Sequence, residues 1–224
     1  MNQVTEFACI EAINFGTIVV ENSLFDGNVG TVEACIVIEC EIGDVCDFQL
    51  TNSSFTNNVA GKRGGAIYYS SYPPILTNVT FSNNSAPYGQ NLASYAKTLR
   101  LWVDEEWKNE VTLPEIASGQ DYTETLYFAV FDVDDQIINT EDQDTIVVKS
   151  NTPGFTPQGV TLRQFRNGTA TIEGISFDGV PGEKFVFEVE SRIFDQEILS
   201  AIHGIQNPDF NLTVEFRKCQ SGEV

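Results

Sequence analysis

Basic residues are scarce in this sequence: 12 lysines and arginines stand against 32 aspartates and glutamates, a formal net charge of −20 over 224 residues. A field of that sign repels a phosphate backbone and removes nucleic acid from the candidate partners. Cations, basic proteins and other chains of the same kind remain. Histidine occurs once, at His203, so neither a histidine-based zinc site nor a Ser-His-Asp triad has a choice of partners. A solvated or capping role is expected for it. No apolar run approaches the ~20 residues of a membrane span. Met1–Glu6 has neither the basic start nor the apolar stretch of a signal peptide.

Hydrophobic residues at 42% and aromatics at 11% are enough for packed cores and exclude a disordered acidic tail. The length suits two modest domains. Asn-x-Ser/Thr sequons at Asn52, Asn78, Asn83, Asn167 and Asn211 point to the secretory pathway and an extracellular or cell-surface location. A start downstream of a signal peptide is therefore expected. Cysteines stand at positions 9, 35, 40, 46 and 219. The odd count implies a partner outside the segment, and Cys219, near the end, is expected to bond beyond residue 224.

The strongest signal is internal repetition. Val20-Glu-Asn22-Ser-Leu-Phe25-Asp-Gly-Asn28, Leu50-Thr-Asn52-Ser-Ser-Phe55-Thr-Asn-Asn58 and Leu76-Thr-Asn78-Val-Thr-Phe81-Ser-Asn-Asn84 share the pattern aliphatic-x-Asn-x-x-Phe-x-x-Asn. The copies are 52 − 22 = 30 and 78 − 52 = 26 residues apart. A Gly-containing apolar stretch follows each, most fully as Gly64-Gly65-Ala66-Ile67. Such a unit has no amphipathic helix and cannot bury its apolar side alone, so neighbours must stack. Stacking sets Leu50 over Val20 and Phe55 over Phe25, with asparagines bonding along the stack as in other side-chain ladders.

The Phe-x-x-Asn and Gly-Gly-Ala-Ile elements resemble the repeats of polymorphic outer-membrane and autotransporter-type proteins. The resemblance covers roughly residues 7–97 and implies a right-handed parallel β-helix of the pectin-lyase kind. In that register Cys9 and Cys35 are one coil apart. Ala8, Ile10 and Ala12 then lie under Ala34, Ile36 and Ile38, and the two cysteines meet on the outer face within disulfide reach. Four cysteines allow three connectivities; the register favours Cys9–Cys35 and Cys40–Cys46. Asn52 and Asn78, in the position of Asn22, are expected to face the ladder. That leaves Asn83, Asn167 and Asn211 as the better glycan acceptors. The edge of the first coil is expected to be covered by further coils or by a partner chain.

From about residue 98 the repeat gives way to strand patterns at 99–103, 125–131, 146–149, 169–177, 185–189 and 212–216, with turn signals at Asn167-Gly168 and Pro181-Gly182. Six short strands in this span suggest a β-sandwich. The run Tyr127–Gln136, the segment from Asn167 to Ile172 and Pro181-Gly182-Glu183 resemble immunoglobulin-like domains of surface proteins, although the antibody Cys…Trp…Cys pattern is missing. Cys219-Gln-Ser-Gly222-Glu223 resembles the opening of EGF-like or ephrin-receptor-like repeats. The expectation is therefore an all-β chain: a β-helix over 1–97, an Ig-like sandwich over 98–216, and the start of a Cys-rich repeat at 217–224. Large surface proteins of single-celled eukaryotes carry these parts in that order.

Chemistry is harder to find. Asp26, Asp44 and Asp47 are scattered through the repeats without the paired carboxylates of glycan hydrolysis. Lys62 and Arg63 read as a solvated turn. Asp132, Asp134, Asp135, Asp142 and Asp144, with Glu141, are the candidate calcium ligands, since calcium takes six to eight oxygens from flexible loops. Trp102 and Trp107 are expected to cap the last coil and pack the domain junction rather than stack on sugars. No other cofactor is expected. The sequence reads as a non-catalytic segment of a structural, adhesion or receptor protein, with a membrane anchor conceivable outside it. The rival is a carbohydrate-active β-helix whose working coils lie elsewhere.

Overall fold

Left-handed asparagines bracket short apolar stretches in the first hundred residues, and each bracket ends a strand. Asn22, Asn52 and Asn78 have φ of 49°, 49° and 53°, a conformation asparagine tolerates better than most residues. The computed structural model describes residues 9–33 and 35–220, so the expected stacking of Ala8 under Ala34 and the expected role of Gly222-Glu223 lie outside the described residues.

The first coil holds β1 (Ile10–Ile13), β2 (Thr17–Glu21), β3 (Leu24–Asp26) and β4 (Val29–Gly30). The second holds β5 (Ile36–Glu39), β6 (Asp47–Thr51), β7 (Ser54–Thr56) and β8 (Val59–Ala60). The third holds β9 (Ile67–Tyr69), β10 (Ile75–Thr77) and β11 (Thr80–Ser82), and β12 (Leu92–Ala93) follows. Pairing runs from coil to coil and is parallel throughout. The sheets are β1-β5-β9-β12, β2-β6-β10, β3-β7-β11 and β4-β8. The register is the one the repeat implies: Val20 pairs with Leu50 and Leu50 with Leu76. Phe25 pairs with Phe55 and Phe55 with Phe81. The three rings stack at 4.6 and 5.4 Å between centroids.

The Gly-Gly-Ala signature has a steric cause. Gly64 takes φ +61°, and a Cβ on Gly65 would lie 2.2 Å from the Gln90 carbonyl oxygen in the next circuit. Two main chains pass there with no room for a side chain, and Ala66 beside it is fully buried.

The second half supplies β13 (Ala96–Val103), β14 (Glu106–Lys108), β15 (Val111–Ile116), β16 (Leu126–Asp132), β17 (Thr145–Ser150), β18 (Gln158–Gly159), β19 (Leu162–Gln164), β20 (Thr169–Ile172), β21 (Ile175–Ser176) and β22 (Lys184–Ser191). The helix α1 (Gln196–His203) and β23 (Phe210–Phe216) complete it. Two main sheets form, β14-β13-β16-β20 and β15-β23-β22-β17-β19. Strand alternation is regular: Phe210, Leu212, Val214 and Phe216 of β23 are buried, as are Phe187 and Val189 of β22. Phe128 of one sheet meets Phe210 of the other edge to face at 5.5 Å. The Asn167-Gly168 turn is present, with φ of 51° and 70° and reciprocal bonds between Arg166 and Thr169. The expected strand over 169–177 is interrupted at Glu173-Gly174, where Gly174 takes φ +69°.

The chain divides into two compact units. The first contains 1–96 together with 132–140 and 195–206; the second contains 97–131, 141–194 and 207–224.

Candidate functional site

Two asparagine ladders run along the first unit, and Asn52 and Asn78, expected to face a buried one, belong to the exposed one. Asn52 and Asn78 are exposed; their left-handed backbone turns the side chain outward, where Asn78 Nδ2 donates to Asn52 Oδ1 at 2.8 Å. The inner ladder is made by the second asparagine of each copy. The main-chain N–H and Nδ2 of Asn28 both donate to Asn58 Oδ1 at 2.9 Å. Those of Asn58 donate to Asn84 Oδ1 at 3.1 and 2.9 Å. Asn58 and Asn84 are 0% and 1% exposed, so every one of these bonds replaces water that cannot reach them. A main-chain N–H can donate only to an oxygen, which fixes the orientation of each amide. Asn91 Oδ1 terminates the run by accepting from Asn84 Nδ2 at 3.1 Å. All five sequon asparagines, Asn52, Asn78, Asn83, Asn167 and Asn211, are exposed, so burial does not set Asn52 and Asn78 apart as expected.

The cysteines follow the register in part. Cys40 and Cys46 are bridged, with Cα atoms 6.2 Å apart. Cys9 and Cys35 are neighbours but carry thiols, not the expected bridge on the outer face. Cys35 is fully buried and accepts from Asn28 Nδ2 at 3.5 Å. Its side chain points into the coil, and burial, with Cys9 beside it, pushes its thiol up to about 12.

Three tyrosines that the sequence reading passed over organise the segments 132–140 and 195–206 within the same unit. Tyr88 OH donates to the fully buried Asp132 at 2.5 Å; Gln136 adds its main-chain N–H at 2.8 Å and Nε2 at 3.1 Å. Tyr69 OH donates to Asp134 at 2.9 Å. Tyr95 OH lies 2.8 Å from His203 Nε2 in the last turn of α1. Burial, then the charge of Asp134, pushes Tyr95 up to about 12. Partial burial of the Asp134 carboxylate, reinforced by Asp132 and Asp135 and opposed by the Tyr69 bond, raises its pKa.

Of the expected calcium ligands, Asp132, Asp134 and Asp142 accept hydrogen bonds from protein groups. Asp132, Asp134 and Asp135 belong to the first unit, Asp142 and Asp144 to the second. Asp142 Oδ1 accepts from the Asn167 N–H at 2.6 Å, and Glu141 Oε1 accepts from the Asp144 N–H at 2.7 Å. Both bonds satisfy main-chain N–H groups, one across 25 residues and one within the loop. Among the described residues, the carboxylates whose oxygens converge within 4.8 Å are instead Glu188, Glu190 and Asp209. Only strand pairing of β22 with β23 brings them together, and Lys149 already pairs with Glu190. Burial, then Glu190 and Glu188, raises the Asp209 pKa.

Arg63 is more than a solvated turn: its Nε pairs with Glu33 at 2.9 Å and its guanidinium lies 3.8 Å from the Tyr68 ring centre. Trp102 and Trp107 face each other across the β13–β14 hairpin at 5.1 Å, in the second unit, and Trp102 is 42% exposed. Trp102 also stands on the lip of a groove of about 780 Å³ in that unit, lined among others by Leu113, Glu115, Asp121, Tyr122 and Arg217. Its lining includes the stretch of β15 between Leu113 and Ile116, where the pairing register shifts.

Residues 52–70 match the model of the Chlamydia polymorphic membrane protein repeat. That stretch runs from the outer-ladder Asn52 through Asn58 to the Gly64-Gly65-Ala66 crossing and β9. A solved structure, the crystal structure of the S-layer protein SbsC domains 4 and 5, is similar over 56% of this chain and 55% of that one, at 13% identity and a TM-score of 0.30. No curated protein matches the chain. No helix among the described residues is long and apolar enough to cross a membrane.

Proposed function

We propose that the chain is a non-catalytic segment of a large extracellular or cell-surface protein, structural, adhesive or receptor-like, that mediates protein–protein assembly. In this reading residues 1–97 are turns of a right-handed parallel β-helix, 98–216 an Ig-like sandwich carrying the helix, and 217–224 the start of a Cys-rich repeat. The observation that supports it is the in-register stacking of Phe25, Phe55 and Phe81 beside Asn28, Asn58 and Asn84. The residues of the repeat are used to hold one coil on the next, which is what a scaffold requires. The repeat match over 52–70 fits a surface protein. The carboxylates Asp132 and Asp142 are occupied by hydrogen bonds rather than aimed at a cleft.

A second reading has one observation in its favour. The groove beside Trp102 combines an exposed aromatic with acidic and amide groups, a lining suited to a sugar chain. The two readings separate on incubation with acidic and neutral polysaccharides. The assembly reading expects no new reducing or unsaturated ends and no retention on the glycans. Cleavage would overturn it, and saturable retention lost in Trp102→Ala would favour glycan binding at the groove.

A further inference from the structure

The groove beside Trp102 has an apolar floor and an acidic rim, all of it within the second unit. Leu101, Leu113 and Leu126 of its lining are 0%, 4% and 2% exposed. Asp104, Glu115, Asp121 and Glu124 stand exposed around them. Arg217 is the one basic residue of the lining, and its guanidinium donates to the Lys218 carbonyl at 3.3 Å. Asp104 is paired with Lys108 at 2.8 Å, and Glu124 accepts from Tyr122 OH at 3.1 Å. Among the described residues no side chain pairs with the carboxylates of Glu115 and Asp121. Glu115 takes φ 56° where the register of β15 shifts, a left-handed backbone that is strained for glutamate and persists where the surroundings fix it.

Different occupants meet this lining differently. An anionic glycan adds charge of the rim's own sign. A neutral glycan leaves four carboxylates against one guanidinium. A lysine or arginine side chain suits both floor and rim, because its methylene stem lies on apolar surface while its head stays at a solvated carboxylate. The chain shows the arrangement internally: the Arg63 guanidinium lies over Tyr68 and pairs with Glu33. At the groove, Trp102 presents an exposed ring of the same use. In an extended segment successive side chains point opposite ways, so aliphatic residues can face the leucines while basic ones reach the rim. The sequence outside the described fold does not provide such a segment. Residues 1–8 and 221–224 contain one glutamate each and no lysine or arginine.

We propose that the groove is the docking site for an extended segment of a partner protein in which lysine or arginine alternates with aliphatic residues. The basic heads pair with Glu115 and Asp121, and the aliphatic side chains cover Leu101, Leu113 and Leu126. A groove of about 780 Å³ suits a short segment, and pairing at an exposed rim weakens with salt. The proposal rests on the assembly reading above and names the chemistry of its partner.

The test uses the whole chain and a labelled hexapeptide, acetyl-Arg-Leu-Arg-Leu-Arg-Leu-amide, followed by fluorescence anisotropy. Saturable one-to-one binding is expected, and the same peptide with glutamine for arginine is expected to bind at least ~10-fold more weakly. A chain of net charge −20 attracts any cation, so two double variants with the same loss of charge separate the groove from the overall field. Glu115→Gln with Asp121→Asn, both exposed and close in shape to the parent, is expected to weaken binding about fivefold, the effect of two surface ion pairs. Glu21→Gln with Asp44→Asn, both exposed and in the first unit, is expected to bind like the parent. No saturable binding up to millimolar peptide, equal binding of the glutamine peptide, or equal weakening by both double variants would overturn the proposal. So would a neutral polysaccharide that binds saturably and displaces the peptide, since the groove would then be a sugar site. Polysaccharide cleavage with the peptide still bound at the groove would instead remove the assembly reading alone, so the two failures are distinguishable.

Discussion

At the scale of single residues, the repeat contains two asparagines six positions apart that look equivalent and behave as opposites. The first, at a left-handed corner, points to solvent; the second points in. The motif with both asparagines is legible in the sequence. Which one is buried depends on the φ of the corner residue, and an asparagine is compatible with either sign. The tyrosine–carboxylate pairs were not legible because Tyr69 and Asp134, or Tyr88 and Asp132, are joined across 65 and 44 residues by the fold alone. They carry a pH consequence. The pKa of Asp134 is raised in the folded chain above the ordinary 3.8, so the folded state holds that proton more tightly than the unfolded one. Stability from this group is present at acid pH and falls as pH rises from about 4 through the raised value. Asp134→Asn keeps an oxygen for Tyr69 and removes the charge. Urea unfolding across pH is expected to show a flatter decline toward neutrality in the variant. A steeper one would mean that the carboxylate is held by more than the Tyr69 bond.

At the scale of elements, the strands of the coils were readable and those of the second unit were readable in part. The coils declare themselves because Val20, Leu50 and Leu76, like Phe25, Phe55 and Phe81, recur at spacings that only stacking explains. The β13–β14 hairpin did not, because its corner is Asp104-Glu105, at φ of 54° and 64°, without the glycine or asparagine that marks such turns. The helix α1 was missed although Asp195 caps it through the Ile198 N–H at 3.0 Å and Gly204 closes it at φ +67°. Only Leu199 of its residues is buried, so its apolar periodicity is short. The glycine at the coil crossing provides a sharp element-level test. Gly65→Ala puts a methyl 2.2 Å from a main-chain oxygen that cannot step aside, whereas Gly16→Ala meets nothing within 4 Å. Thermal unfolding is expected to show a loss of about 2 kcal/mol or more for Gly65→Ala, in the range of overpacked sites, and little change for Gly16→Ala. Equal effects would contradict the close coil-to-coil approach.

At the scale of the whole molecule, the length pointed to two modest domains and the sequons to an extracellular or cell-surface location. They could not show that 132–140 and 195–206 return to the unit built on the repeats, since neither segment carries the repeat pattern. Val133 packs against the first unit's core and Ile138 against its Tyr88 and Ala93 cluster, so the repeat region is completed by residues far along the chain. The central claim is that residues 10–93 form a parallel coil-on-coil stack in which the second coil is paired on both sides. Native-state amide hydrogen exchange read by mass spectrometry tests it most directly. Strands flanked on both sides, β5, β6, β7 and β9, are expected to exchange slowest, and the marginal strands β1, β2, β3, β10 and β11 markedly faster, giving protection that peaks in the second coil. Uniform protection across the three coils, or protection that is highest in β1–β4, would contradict the account.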